Sequence, residues 1–201
     1  MEFIEDTEAL EALYGTPGEA SLVKVAGQMT PSYRKWIMAS RFCVLSTVGP
    51  EGADGSPRGD DGPVVIELDD RTLALPDWRG NERIDSLRNI VRDSRVALMF
   101  MVPGSPNVVR VNGRARLTAD EELRARFEKG GKTPRTVIVI SIEEIYSQCA
   151  RAIMRAGLWT SEDESAELPS VGDMLKEMTS GAFDGASYDK SWPERAKKTM
   201  W

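Results

Sequence analysis

The sequence predicts a mainly β, α+β chain: an antiparallel sheet or small barrel with flanking helices. Two observations carry this. Between Phe42 and Ile142 lie six short runs rich in Val, Ile, Leu and Phe, each bounded by Gly, Pro, Asp or Ser. Before Arg41 the apolar residues follow a helical period instead. The chain's 201 residues suit a single domain, 1-201, with a helical N-terminal segment (1-40), a sheet or barrel core (41-160) and a C-terminal helix and tail (161-201).

Taken in order, Thr7 to Tyr14 carries Ala9, Leu10 and Leu13 and then meets Gly15 and Pro17, the pattern of a short, sharply stopped helix. Ala20 to Gln28 and Ser32 to Ser40 are helical in period, and Thr30-Pro31 supplies an N-cap followed by a first-turn proline. The six strand candidates are Phe42 to Val48, Val64 to Leu68, Thr72 to Pro76, Val96 to Val102, Val108 to Leu117 and Thr136 to Ile142. In the fifth, Val109, Val111, Gly113, Ala115 and Leu117 share one face, while Arg110, Asn112, Arg114 and Arg116 share the other. Thr118 and Glu121 have capping-box spacing for a helix through Phe127. Asn81 to Arg92 has Ile84, Leu87 and Val91 at helical spacing, and Gln148 to Ala156 reads as a helix ended by Gly157. Beyond an acidic hinge (Ser161 to Glu167), a helix is expected around Val171 to Met178. A Gly-, Asp- and Ser-rich loop from Gly181 to Ser191 and a basic, aromatic tail from Trp192 to Trp201 should follow it.

Composition excludes much. A net charge of -6 argues against nucleic acid or an anionic membrane as the main partner, since phosphate surfaces reward clustered Lys and Arg. The chain has no histidine, which removes Ser-His-Asp and Cys-His catalysis, His-ligated zinc or iron, and proximal-His haem. Cys43 and Cys149 form no CxxC pair, so no metal knuckle is expected. Met1 to Tyr14 is acidic, unlike a signal peptide, and the longest apolar run, Val96 to Val102, is far shorter than a membrane span. A cytoplasmic location is the expectation.

The most visible chemistry is the strand-turn-helix unit from Leu73 to Asn89. From Arg79 to Arg92, Arg79, Arg83, Arg88 and Arg92 outnumber Glu82 and Asp85, in a chain that is otherwise acidic. A helix beginning at Asn81 would aim unpaired N-H groups and the positive end of its dipole at an anion such as phosphate. The same spacing also fits a capped, solvated helix whose arginines pair with Glu82, Asp85 and Asp93. Ser56-Pro57-Arg58-Gly59-Asp60 could present the Arg58 fork to a phosphate, or form a turn in which Arg58 pairs with Asp54, Asp60 or Asp61. Arg110, Asn112, Arg114 and Arg116 could line a cleft or a subunit interface, or simply face water. Cys149 reads as a small buried hydrophobe rather than a catalytic thiol.

Together, FCVLSTVGPEG (Phe42 to Gly52), SPRGD (Ser56 to Asp60), LALPDWRGNERIDSLRNI (Leu73 to Ile90), SRVALMFMVPG (Ser94 to Gly104), RVNGRARL (Arg110 to Leu117), and CARA (Cys149 to Ala152) with Leu158-Trp159 resemble the pyridoxamine 5'-phosphate oxidase-like, FMN-binding split-barrel family, in particular its branch of probable FMN-dependent enzymes. The resemblance covers nearly the whole chain. It implies a six-stranded antiparallel split barrel forming a homodimer, with FMN in clefts between the subunits. Carried over by position, Arg58, Asn81, Arg83, Ser86 and Asn89 would surround the ribityl phosphate, and Leu75, Pro76, Asp77 and Trp78 would run beside the ring or ribityl chain. Gln148 stands where members of this branch often have histidine, and the substrate-binding arginine and histidine of true pyridoxamine 5'-phosphate oxidases have no counterpart, so vitamin-B6 synthesis is not expected. The resemblance thus implies an FMN-dependent oxidoreductase acting on an unspecified small substrate, in which the flavin rather than a protein nucleophile carries the redox step. The alternatives are a non-catalytic flavin-binding or carrier module, or a deazaflavin or non-histidine haem protein of the same fold. Arg110, Arg114 and Arg116 could serve a deazaflavin's longer acidic tail.

Overall fold

Phe42–Gly49 forms β1, a strand whose alternate residues Cys43, Leu45 and Thr47 are buried; a computed structural model describes it together with the rest of residues 1-201. Across the Pro50-Glu51 turn, where Gly52 takes a φ of 124°, β1 pairs in antiparallel register with β2 (Gly52–Gly59). This strand was not expected. Apart from Ala53 and Pro57 it carries only glycine and polar residues, so no apolar alternation marks it, and its conformation is set by the ladder with β1.

The other strands are β3 (Ile66–Asp69), β4 (Thr72–Asp77), β5 (Arg95–Met101), β6 (Val108–Thr118) and β7 (Thr136–Gln148), and the sheet order is β2-β1-β5-β6-β7-β4-β3, antiparallel throughout. The fold is therefore a split barrel of seven strands rather than six, and it is not closed. β7 runs six residues past the expected Ile142, because a bulge leaves Glu143 unpaired opposite Asn112-Gly113 and lets pairing resume up to Gln148. The expected helix at Gln148 is displaced to a short α-helical turn at Arg151–Arg155, which Gly157 ends with a φ of 60°.

Ile37, Leu45, Leu73, Leu75, Leu98, Phe100, Val111, Ile138, Ile140 and Ile145 fill the interior, each at most 1% exposed. In β4 and β7 the intervening residues Ala74 and Val137 are buried too, against Phe127, which explains why these strands read as continuous apolar runs.

Three N-terminal helices precede the sheet: α1 (Thr7–Glu11), α2 (Glu19–Val23) and α3 (Pro31–Met38). Thr30 caps α3 as expected, whereas α2 stops well before Gln28 because Ala26 bridges to Ile145 instead. Of the helices within and after the sheet, α4 is Asp85–Arg92, α5 Glu121–Ala125, α6 Arg151–Arg155, α7 Val171–Met178 and α8 Gly185–Thr199. Asp120, not Thr118, caps α5, so the expected capping box does not form. Ser170 and Asp173 do form one on α7. The expected loop and tail after Gly181 are mostly α8, started by the Asp184 cap on the Ser187 N-H. Its first residue, Gly185, crosses Gly172 of α7 so closely that a Cβ on Gly185 would lie 2.2 Å from the Gly172 carbonyl oxygen. α7 and α8 thus pack chiefly on one another. No helix is long and apolar enough to cross a membrane.

Candidate functional site

The sheet curls until its two ends approach. β2 is an edge strand, and β4 loses its β3 partner after Ala74, so one side of Leu75, Pro76 and Asp77 is unpaired. Two side-chain contacts bridge the split. Arg58 Nη1 on β2 donates to Asp77 Oδ1 on β4 at 2.5 Å, and Trp78 Nε1 donates to Asp60 Oδ2 at 3.1 Å. Between these edges lies a cleft of about 1050 Å³, closed at one end by Arg79 to Leu87 and lined also by Arg135, Thr136, Met200 and Trp201.

Arg58, Leu75, Pro76, Asp77, Trp78, Asn81, Arg83 and Ser86, all expected at a binding site, line this one cleft. Asn89 does not. It is 8% exposed and its Nδ2 donates to Thr47 Oγ1 at 3.1 Å, pinning α4 to β1. It sits so close to Gly49 that a Cβ there would lie 2.1 Å from Asn89 Oδ1.

The helix of this unit begins at Asp85, four residues later than expected. Asn81 is not its cap; its Oδ1 accepts from the Arg83 N-H, and the chain then enters α4 through Ile84 in the left-handed region, at a φ of 53°, with no side-chain cap. Glu82 shares that region, at a φ of 63°. A left-handed β-branched residue costs on the order of 1-3 kcal/mol, and such strain gathers at binding sites. The uncapped first turn of α4 faces the cleft, where Ser86 Oγ donates to Asp54 Oδ2 of β2 at 2.5 Å.

Electrostatically the cleft is not the positive spot that counting along the helix implied. Arg88 and Arg92 lie outside it, and Arg92 pairs with Glu51 at 2.7 Å. Within the wall, Arg58, Arg79, Arg83 and Arg135 face Asp54, Asp60, Asp61, Asp77, Glu82 and Asp85. Arg83 pairs with Asp85 at 2.8 Å and Arg135 with Glu82 at 2.9 Å, whereas Arg79 makes no ion pair. Behind Trp78, Lys129 bonds both Asp60 and Asp61, and its hydrogen bond holds the Asp61 carboxyl below the ordinary carboxylate range.

Two buried side-chain polar atoms have no partner, Arg58 Nε and Thr136 Oγ1, and both belong to the cleft wall. Arg58 is only 17% exposed, so its fork is held in place by Asp77 with donors to spare. The wall fits a ligand with an anionic group at Arg58 and a flat apolar part along Leu75 to Trp78. No local pattern in the sequence marked the distant Arg135, Thr136 and Trp201; the expected pairing of Arg83 with Asp85 does form, whereas Arg58 pairs with Asp77 rather than with Asp54, Asp60 or Asp61.

The polar face of β6 is elsewhere. Arg114 bonds Glu143 at 2.9 Å, and Arg110 lies over the Tyr146 ring, 5.4 Å from its centroid. Cys149 is exposed rather than buried, and Cys43, beside Arg58 in the ladder, is fully buried, with its thiol pushed up to about 12 by burial.

The family model of pyridoxamine 5'-phosphate oxidase matches residues 29-149. No curated protein matches the chain. Among solved structures, HupZ of Group A Streptococcus is 19% identical, with a TM-score of 0.48, over 59% of this chain and 93% of its own. A candidate pyridoxamine 5'-phosphate oxidase of Lactobacillus delbrueckii is 24% identical, with a TM-score of 0.47, over 60% of this chain and 95% of its own. An FMN-binding protein of Syntrophomonas wolfei is 15% identical, with a TM-score of 0.44, over 58% and 88%.

Proposed function

The chain belongs to the pyridoxamine 5'-phosphate oxidase family, and from that premise we propose that it is a flavoprotein that binds FMN in the cleft between β2 and β4 and serves as an FMN-dependent oxidoreductase for a small substrate. The observation that carries this reading is the pair of orphaned polar atoms, Arg58 Nε and Thr136 Oγ1, in the wall of one cleft. A buried donor without a partner costs roughly 1-3 kcal/mol, which a ligand oxygen would recover.

In this assignment Arg58 takes the phosphate, with Arg83 and the open first turn of α4 on its other side. Asp77 orients the Arg58 fork, and Ser86 ties α4 to β2 through Asp54. The unpaired edge of Leu75 to Asp77 offers backbone groups to the rim of a planar ring, and Trp78, fixed by Asp60, offers it an aromatic wall. When bound, FMN supplies two-electron redox chemistry; the protein's part is position and electrostatics. Two copies of the chain, with a cleft at each subunit junction, and a cytoplasmic setting belong to the same proposal.

One observation favours a second reading, a flavin carrier without turnover: the wall contains no Cys, Tyr, Lys or His to move a proton, only carboxylates. The deazaflavin alternative would draw on Arg110, Arg114 and Arg116, which lie outside the cleft of the same chain.

The test is titration of the purified protein with FMN and with riboflavin, read by flavin fluorescence and visible absorbance, followed by exposure to nicotinamide nucleotides and a peroxide assay. FMN should bind more tightly than riboflavin. Equal affinity removes the phosphate site, failure to bind either removes the flavin assignment, and bound flavin that no donor reduces selects the carrier.

A further inference from the structure

The end of α8 brings Met200 and Trp201 to the cleft. The Trp201 ring meets Trp78 edge-on, with centroids 5.2 Å apart and planes at 72°, and Lys129 Nζ stands 4.3 Å from the Trp201 ring centroid. Lys132 Nζ donates to the Trp201 carbonyl oxygen at 2.9 Å, and Met200 also lines the cleft. The two sides of this contact differ in how firmly they are held. Trp78 is bonded through its own Nε1 to Asp60, and Lys129 is bonded to Asp60 and Asp61, so the seat is built from the sheet side and does not depend on its occupant. Trp201 brings a ring and one carbonyl to it. It hangs from the α7-α8 hairpin, which packs chiefly on itself.

We propose that Trp201 is an intramolecular lid: its ring rests on Trp78 at the cleft wall, steadied by Lys129 behind it, and a ligand whose planar heteroaromatic ring packs on Trp78 displaces it. The proposal rests on the reading that the cleft receives such a ring. Its chemistry is general. The Trp78 ring can pack against any flat ring, and nothing in the seat recognises indole in particular, because the Trp201 Nε1 makes no hydrogen bond there. Displacing the lid draws on the binding free energy of the ligand, so affinity falls by the fraction of molecules that stand open.

The experiment compares the full chain with W201A and W201F by indole N-H resonances without ligand, and then by FMN titration. Without ligand, W201A should shift the Trp78 indole resonance, and W201F should largely restore it. On titration W201A should bind FMN about tenfold more tightly than wild type, the gain expected when a lid closed in roughly nine molecules of ten is removed, with W201F in between. An unchanged Trp78 resonance in ligand-free W201A overturns the lid, as does equal or weaker FMN binding by W201A when wild type binds. If no protein binds FMN, the flavin assignment falls separately and the ligand-free resonances alone decide for or against the lid.

Discussion

Replacing Arg58 by alanine probes the split itself. Arg58 and Asp77 stand on strands far apart in the sheet order, bonded at 2.5 Å, with side chains only 17% and 18% exposed. An exposed pair contributes at most about 1 kcal/mol, whereas removing one partner of a fully buried pair costs roughly 3-5 kcal/mol. This pair lies between those limits, so R58A should lose about 2 kcal/mol, lowering Tm by about 4-8 °C for a chain of this length. Loss of charge-assisted bonds to phosphate should weaken FMN binding by a further 1-3 kcal/mol or so, about 5- to 150-fold. The control is D77N, which also loosens the split but frees the Arg58 fork. Both variants should therefore lose stability while FMN affinity falls in R58A and holds or rises in D77N. Riboflavin, lacking the phosphate, should bind R58A and wild type alike. Thermal melts and fluorescence titrations read all of this. If R58A and D77N weaken FMN binding by the same factor, Arg58 only braces the wall and the reasoning is wrong.

Three further outcomes follow from the geometry. R83A should weaken FMN binding by about 1-3 kcal/mol, whereas R92A, which removes the pair with Glu51 outside the cleft, should leave it unchanged; equal effects in the same titration would indicate general surface charge. In mildly alkaline buffer an aromatic disulfide reagent should label the exposed Cys149 at once and the buried Cys43, whose thiol sits at about 12, only after denaturation; rapid labelling of both contradicts the packing of β1. The hydrogen bonds from Arg95 hold the Asp93 carboxyl at about 2 rather than 3.8, so its contribution to stability is in place above 3.8 and fades as the pH falls toward 2. Urea midpoints of wild type and D93N should accordingly converge over that window, and a gap independent of pH would contradict the assignment.

What could be read from the sequence follows the physics of each segment. β1, β5 and β6 alternate buried and more exposed residues and so announce themselves, and Leu73 to Pro76 of β4 and Val137 to Ile140 of β7 are continuous apolar runs. β2 stayed hidden because its glycines and polar residues owe their extended form to a partner, which local preference does not record. α8 was hidden by Gly, Asp and Ser that read as loop but serve as a crossing point (Gly185), a cap (Asp184) and the cap's partner (Ser187). At the candidate site, the family resemblance, carried over by position, named Arg58, Leu75 to Trp78, Asn81, Arg83 and Ser86, and these residues do line one cleft. The Arg58–Asp77 pair and the arrival of Arg135 and Trp201 were not legible, since each depends on where distant segments meet, and the late start of α4 follows from left-handed backbone at Glu82 and Ile84 that residue type does not announce.

The two borders of the sheet also constrain how copies of this chain can meet. Pro57 deprives β2 of one N-H donor, Asp54 and Arg58 charge the same strand, and β3 is four residues long, with a bulge and with Glu67 gripped by the Arg34 fork at 2.6 Å. Neither border is a good template for continuing the ladder into another molecule. Any second copy would therefore have to dock by side-chain faces rather than by extending the ribbon, and the gap beside β2 would stay open to small molecules.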